Sequence, residues 1–166
     1  MPEFRKLAKD VYAFLQPPLI CYSSAGVIMG DRDVIVVDSL TNAAMTQNLL
    51  AEIRHVTDNP IRFLINTHSH FDHVYTNHFF PEATVISTHR GREETKANRK
   101  VQGKHDALFV KLFSDVVVHL PGEKIIFCGN VFMNGMPPLP SMIMTWVANH
   151  VLLGSARNLK IQLDFS

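Results

Sequence analysis

Three histidines and one aspartate lie within the six residues 68–73, where the chain reads His-Ser-His-Phe-Asp-His. Imidazole and carboxylate groups are good donors for Zn²⁺ and related divalent ions. In an extended segment His68 and His70 point to the same side, and a turn at Phe71 can bring Asp72 and His73 beside them. One loop could therefore offer two ligands to one metal ion and two to a second. Two such ions can bridge a water molecule and present hydroxide near neutral pH.

Chance gives this spacing rarely, on the order of once in a thousand shuffles of a chain of this composition. The segment also follows an apolar strand candidate, Ile61–Ile65, and loops at the carboxyl ends of strands are where sites are usually built. A histidine-rich surface loop without function is the alternative. The remaining six histidines have no ligand-like spacing and are expected to be structural or solvated: His55, His78, His89, His105, His119 and His150.

The elements around the motif alternate between strand and helix patterns. We predict strands over Val11–Leu15, 26–29, Val34–Val37, Ile61–Ile65, 83–87, 115–120 and 124–127. We predict helices over 41–56, 74–80 and 91–113, with a less defined element over 146–153. The basic residues at the start of the third helix are interpreted as a solvated face, with a phosphate-binding patch as the alternative. This order of elements favours a mixed α/β fold.

Composition excludes several classes of protein. The chain has 166 residues, 46% hydrophobic and 19% charged, with a formal net charge of +1, which suits one compact domain over residues 1–166. Near-neutral charge predicts no nucleic-acid partner, and no apolar stretch reaches the length of a membrane span. The first ten residues lack the apolar core of a signal peptide. We expect a cytoplasmic protein whose partner is a small-molecule substrate.

Residues 68–73 resemble the His-x-His-x-Asp-His signature of the metallo-β-lactamase superfamily. The resemblance extends over about residues 10–140. Residues 26–39 are similar to the early hairpin of the family and end in the strand-terminal Asp38, and Asn77 stands where members often carry Asn. Residues 116–136 are similar to the later hairpin, which leads into a Gly-Asp pair. The resemblance implies an αββα sandwich with the metal site at one edge.

The resemblance also implies roles for the four side chains of the motif. His68 and His70 correspond to ligands of a first metal ion, and Asp72 and His73 to ligands of a second. Asp72 is also the implied catalytic residue, because it would orient the attacking water. The implied cofactor is one or two Zn²⁺ ions, with another divalent metal as the alternative. The implied activity is hydrolysis of a small ester, thioester, lactone or amide through a metal-bound hydroxide.

The sequence departs from the family pattern in three places. No Gly-His pair precedes the later hairpin, and Gly129-Asn130 stands where Gly-Asp is expected. His150 is the only histidine near the position of the final ligand, in a context that does not match. The sandwich is therefore expected to be incomplete. The alternative function is a shortened, catalytically impaired member with a partial metal site and a non-enzymatic role; a nuclease is disfavoured because no interleaved basic and aromatic tract occurs.

Overall fold

A six-stranded sheet dominates the computed structural model of the protein, which describes residues 2–16, 23–100 and 116–129. The strands follow one another in space as they do in sequence: β1 (Glu3–Ala8), β2 (Val11–Leu15), β3 (Ala25–Met29), β4 (Val34–Val37), β5 (Ile61–Ile65) and β6 (Thr84–Ile86). Strands β1 to β4 form an antiparallel meander, whereas β4, β5 and β6 are parallel. The parallel half is the part that positions the motif.

In the part of the chain that the structure describes, three α-helices connect or follow the parallel strands: α1 (Ala43–Val56), α2 (Phe71–Val74) and α3 (His89–Lys100). Helix α1 begins where the side chain of Asn42 accepts a hydrogen bond from Met45 N at 3.0 Å, which satisfies a backbone donor of the first turn. It ends with Arg54 and His55 in its last turn, where positive charge is favourable. A short 3₁₀ helix, Asn77–Phe79, follows α2.

The core lies between α1 and one face of the sheet. Leu49 and Ile53 of α1 are fully buried against Val27, Val36 and Leu64 of three neighbouring strands. Successive side chains of a strand point to opposite faces of the sheet, so the neighbours of these three strand residues point to the face that α1 does not cover.

A second, two-stranded sheet covers that opposite face. It consists of β7 (Val118–Leu120) and β8 (Ile125–Phe127), paired antiparallel. A Cβ on Gly26 would lie 2.5 Å from the ring of Phe127, so the absence of a side chain in β3 makes room for the aromatic ring. The described layers are therefore helix, sheet and sheet, which is the order expected within an αββα sandwich.

Most of the elements agree with the sequence prediction, and the mixed α/β class is confirmed. The expected helix over 74–80 is wrong, because α2 ends at Val74 and a separate 3₁₀ helix follows. Strand β1 was not predicted at all. Helix α3 begins two residues earlier than expected, and the prediction beyond Lys100 lies outside the described residues, as does the element over 146–153. Within the described ranges no helix is long and apolar enough to cross a membrane.

Candidate metal centre

The carboxyl ends of β4 and β5 lie side by side because the two strands are parallel neighbours. Asp38 directly follows β4, and the motif loop, which we define as residues 66–73, directly follows β5. Asp38 N donates to Ile65 O at 2.8 Å, so the chain is still paired at this point. The backbone of Asp38 then turns into the left-handed region, with φ of 65°, and this turn directs its carboxylate towards the motif loop.

The buried carboxylate of Asp38 fixes both ends of the loop. Its Oδ1 accepts from Thr67 N at 2.8 Å, and its Oδ2 accepts from Thr67 Oγ1 at 2.7 Å. The same Oδ2 lies 2.8 Å from Nδ1 of His73. A proton on Nδ1 of His73 satisfies this contact and leaves Nε2 as the nitrogen that can face a metal ion.

The carbonyl of His73 holds the end of the loop in place through three donors. Ser39 N donates to it at 2.9 Å, Ser39 Oγ at 3.2 Å and Asn66 Nδ2 at 3.2 Å. Asn66 and Asn77 also exchange hydrogen bonds between their side-chain amides, at 3.2 and 2.7 Å. The position of Asn77, noted in the sequence only as a family similarity, thus has a structural role in closing the turn behind the motif.

The four predicted ligands come together on this scaffold. The ring centroids of His68 and His70 lie 4.6 Å apart, and those of His68 and His73 lie 4.1 Å apart. Asp72 Oδ2 lies 3.2 Å from Nε2 of His73. His68 and His73 are buried, while His70 and Asp72 are half-buried and stand between these rings and solvent.

The surroundings of the cluster shift the pKa values of its histidines in different directions. Burial, and then the neighbouring His73 and His70, lower the pKa of His68 to about 3, so its ring is neutral at physiological pH. Burial opposes charge on His73 as well, but the carboxylates of Asp38 and Asp72 outweigh it and raise the pKa of His73 to about 10. Burial also works against ionisation of Asp72, yet the hydrogen bond and charge of His73 lower the pKa of that carboxyl. The field at His73 therefore favours a cation.

These residues fit a divalent metal ion in donor type and in the orientation of His73. Nε2 of His73 is buried and lies 3.2 Å from Asp72 Oδ2, so the ring nitrogen that Asp38 does not contact faces a second proposed ligand. Among residues 2–16, 23–100 and 116–129, however, no three His, Cys, Asp or Glu side chains are arranged to hold an ion together. Two positions at which the sequence departs from the family pattern, Asn130 and His150, lie outside the described residues.

Sequence reasoning missed two residues that hold the loop in place. Asn66 is the first residue of the loop, directly after β5, and this position was the available signal for it. Glu94 lies among the basic residues of the third helix that are interpreted from the sequence as a solvated face, but its Oε2 accepts a hydrogen bond from Ser69 Oγ at 2.8 Å. No spacing in the sequence pairs Glu94 with Ser69, because the two residues come from different elements.

Comparison with known proteins agrees with this description. The family model described as the metallo-beta-lactamase superfamily matches residues 19–113, which is more than half of the chain. No curated protein gives a significant match.

Among similar solved structures, the DIM-1 metallo-beta-lactamase exposed to ceftazidime is 17% identical, with 84% of this chain and 74% of that chain covered and a TM-score of 0.64. VMB-1 is 18% identical, with 75% and 68% covered and a TM-score of 0.55. A metallo-beta-lactamase from Hirschia baltica is 20% identical over 59% of this chain, with a TM-score of 0.49. The match covers 48% of that chain, so the protein spans about half of its length. At 17% and 18% identity, the similarity to DIM-1 and VMB-1 supports the fold alone.

Proposed function

Because this chain belongs to the metallo-beta-lactamase superfamily, we propose that it is a metal-dependent hydrolase whose ion is held in the motif loop. The proposed ligands are the three histidines and the aspartate of the motif: His68, His70, Asp72 and His73. The proposed ion is Zn²⁺ or a related divalent metal, in one or two copies. A divalent ion in this place would lower the pKa of a water molecule and polarise a carbonyl group.

One observation carries the proposal. The rings of three motif histidines lie together, with centroids 4.1 and 4.6 Å apart, beside a carboxylate 3.2 Å from Nε2 of His73. Imidazoles packed this closely are costly unless they stay neutral or share a cation, and here two carboxylates supply the compensating charge. The buried carboxylate of Asp38, which contacts Thr67 and His73, is also not expected for a surface loop without function.

The chain's own residues would contribute binding and proton handling. Asp72 is ionised at neutral pH, because its pKa is lowered, and an ionised carboxylate can only accept hydrogen bonds. It can therefore orient a water molecule and take a proton from it. Asp38 would keep His73 in the tautomer that leaves Nε2 for the ion.

The proposed substrate is a small ester, thioester, lactone or amide. The proposal includes the expectations that the partner is a small molecule, that nucleic acid is not bound and that the protein acts in the cytoplasm; each stays a prediction.

A second candidate is a catalytically impaired member with a partial site. Two observations favour it: no three described side chains form a ready metal site, and Asn130 stands where the family pattern has Asp. An amide oxygen is neutral, so it is a weaker ligand than a carboxylate and bridges two cations poorly.

Zinc-loaded protein separates the two candidates. We expect native mass spectrometry to show bound zinc, and we expect hydrolysis of a panel of thioesters and lactones. His70→Ala should abolish turnover, because it removes a proposed metal ligand. His70 is chosen because its side chain is only half-buried, so the substitution should disturb the fold little. His55→Ala removes an exposed histidine at the end of α1 and should retain activity. Turnover that survives in His70→Ala would refute the hydrolase proposal, and zinc-free protein without turnover would favour the impaired member.

A further inference from the structure

Helix α3 contacts the motif loop through one carboxylate. Glu94 Oε2 accepts from Ser69 Oγ at 2.8 Å, and Glu94 Oε1 accepts from Arg90 Nε at 3.0 Å, one turn earlier in the helix. The Glu94 side chain is 20% exposed, compared with 45% for Arg90. Ser69 itself is buried. Both oxygens of Glu94 are thus used, one towards the loop and one towards its own helix.

Ser69 occupies a sensitive position in the loop. It stands between His68 and His70, whose ring centroids are 4.6 Å apart, so a shift of its backbone changes the relation of both rings. Asp38 holds Thr67 and His73 near the two ends of the loop. Thr67 Oγ1 also lies 3.0 Å from Nδ1 of His68, and Ser23 Oγ donates to the carbonyl of Asp72. Between these contacts, Ser69 is the residue that joins the loop to α3, through Glu94.

We propose that Glu94 is a positioning residue of the metal centre, which fastens α3 to the middle of the motif loop and so sets the placement of His68 and His70. This inference rests on the proposed function for its effect on metal binding. Its structural part, the coupling of α3 to the loop, does not depend on any metal. Removing a group that hydrogen-bonds a metal ligand directly changes metal affinity by about 10- to 100-fold. Glu94 acts through Ser69, which is not a proposed ligand, so we expect an effect at the lower end of this range.

The test uses cobalt(II) as the metal probe in the full-length protein. We expect Glu94→Ala and Ser69→Ala each to raise the cobalt dissociation constant by about 10-fold. The double variant should bind cobalt as tightly as either single variant, because each single substitution already removes the contact between Glu94 and Ser69. The visible spectrum of bound cobalt should change in all three, since ligand geometry changes. Glu94→Gln should recover part of the affinity, because its amide oxygen can still accept from Ser69.

The control is Glu93→Gln, which removes the neighbouring, exposed carboxylate that pairs with Lys96 at 2.8 Å. It should leave the cobalt affinity and spectrum unchanged. Equal affinity and spectra for Glu94→Ala and Glu93→Gln would overturn the inference, whatever their effect on the unfolding midpoint.

A second measurement keeps the inference testable if the protein binds no cobalt, an outcome that would refute the proposed function. Hydrogen exchange of the amides in residues 66–73 should then be faster in Glu94→Ala than in Glu93→Gln. Equal exchange in the two variants would overturn the inference.

Discussion

Asp38 connects the beginning and the end of the motif loop, although it lies 29 residues before Thr67 in sequence. Its carboxylate is buried and accepts from two atoms of Thr67 and from His73. Groups behind a metal ligand fix its tautomer and ring orientation, so their loss changes both stability and metal affinity. At the scale of single residues, the site therefore depends as much on Asp38 as on the motif.

Asp38→Asn tests this dependence with little change in shape. Asparagine tolerates the left-handed backbone at this position, where φ is 65°, so the backbone strain is unchanged. The variant replaces a carboxylate by a neutral amide opposite three donors, which leaves at least one buried donor without an acceptor. We expect the free energy of unfolding to fall by about 3 kcal/mol, measured by urea denaturation of the metal-free protein.

The matched control is Asp33→Asn, which neutralises a more exposed carboxylate that pairs with Arg62 at 3.2 Å. Exposed pairs contribute little, so its free energy of unfolding should change by less than about 1 kcal/mol. If the two variants shift the denaturation midpoint equally, Asp38 does not have the role assigned to it here.

At the scale of elements, the two sheets meet where a glycine of β3 faces an aromatic ring of β8. A Cβ on Gly26 would lie 2.5 to 2.9 Å from three ring atoms of Phe127, which is closer than real Cβ contacts allow. The second hairpin also joins the motif loop directly, because Val116 N donates to Thr67 O at 2.6 Å. Packing between the sheets and the position of the loop are thus linked.

Gly26→Ala should destabilise the protein by about 1 to 3 kcal/mol, because the added methyl group must displace the ring of Phe127. Chemical denaturation measures the loss. Gly122→Ala is the control, since a Cβ there meets no atom within 4 Å, and it should leave stability nearly unchanged. Phe127→Leu in the Gly26→Ala background should restore part of the loss. A neutral Gly26→Ala variant would contradict the packing described here.

Sequence patterns predicted the elements whose periodicity reflects burial. Helix α1 and strands β4 and β5 have clear apolar faces, and they were found nearly within their bounds. Strand β1 was missed because most of its residues are exposed and show no alternation. The helix expected over 74–80 is interrupted at Thr76, whose hydroxyl is buried and contacts Leu40 O and Thr46 Oγ1 at 3.2 and 2.8 Å. Tertiary contacts of this kind override local helix preference.

The same limit applies to the candidate site. The four motif residues could be predicted from sequence because their spacing is local. The contacts of Asp38 with Thr67 and of Glu94 with Ser69 join positions 29 and 25 residues apart. Such pairs are set by strand order and helix placement, which local patterns of residue type and spacing do not reveal.

At the scale of the whole molecule, the motif loop lies where several elements end together. Strands β4 and β5 end beside it, and the turn after β8 reaches it from the second sheet. At Gly129, with φ of 51°, a Cβ would lie 2.8 Å from Cβ of Thr67 and 3.1 Å from Nδ1 of His68. An ion bound in this loop would be held by residues that the first sheet positions and that the segment after β8 contacts, so metal binding and global folding should be coupled.

This coupling predicts how stability depends on zinc. An ion that binds only the folded state raises the free energy of unfolding by about 1.4 kcal/mol for each tenfold rise in free zinc above its dissociation constant. The slope of the free energy of unfolding against the logarithm of free zinc therefore reports how many ions the folded protein binds, because two ions give about twice the single-ion value. We expect at least the single-ion slope in urea denaturation at buffered zinc concentrations, and no zinc dependence in His70→Ala. His55→Ala, which lacks an exposed histidine, should match the unmodified chain. If the stability of the unmodified chain does not depend on zinc, the motif loop does not hold zinc. A slope near about 2.8 kcal/mol for each tenfold rise in free zinc would mean that residues beyond the described ranges complete a two-ion centre.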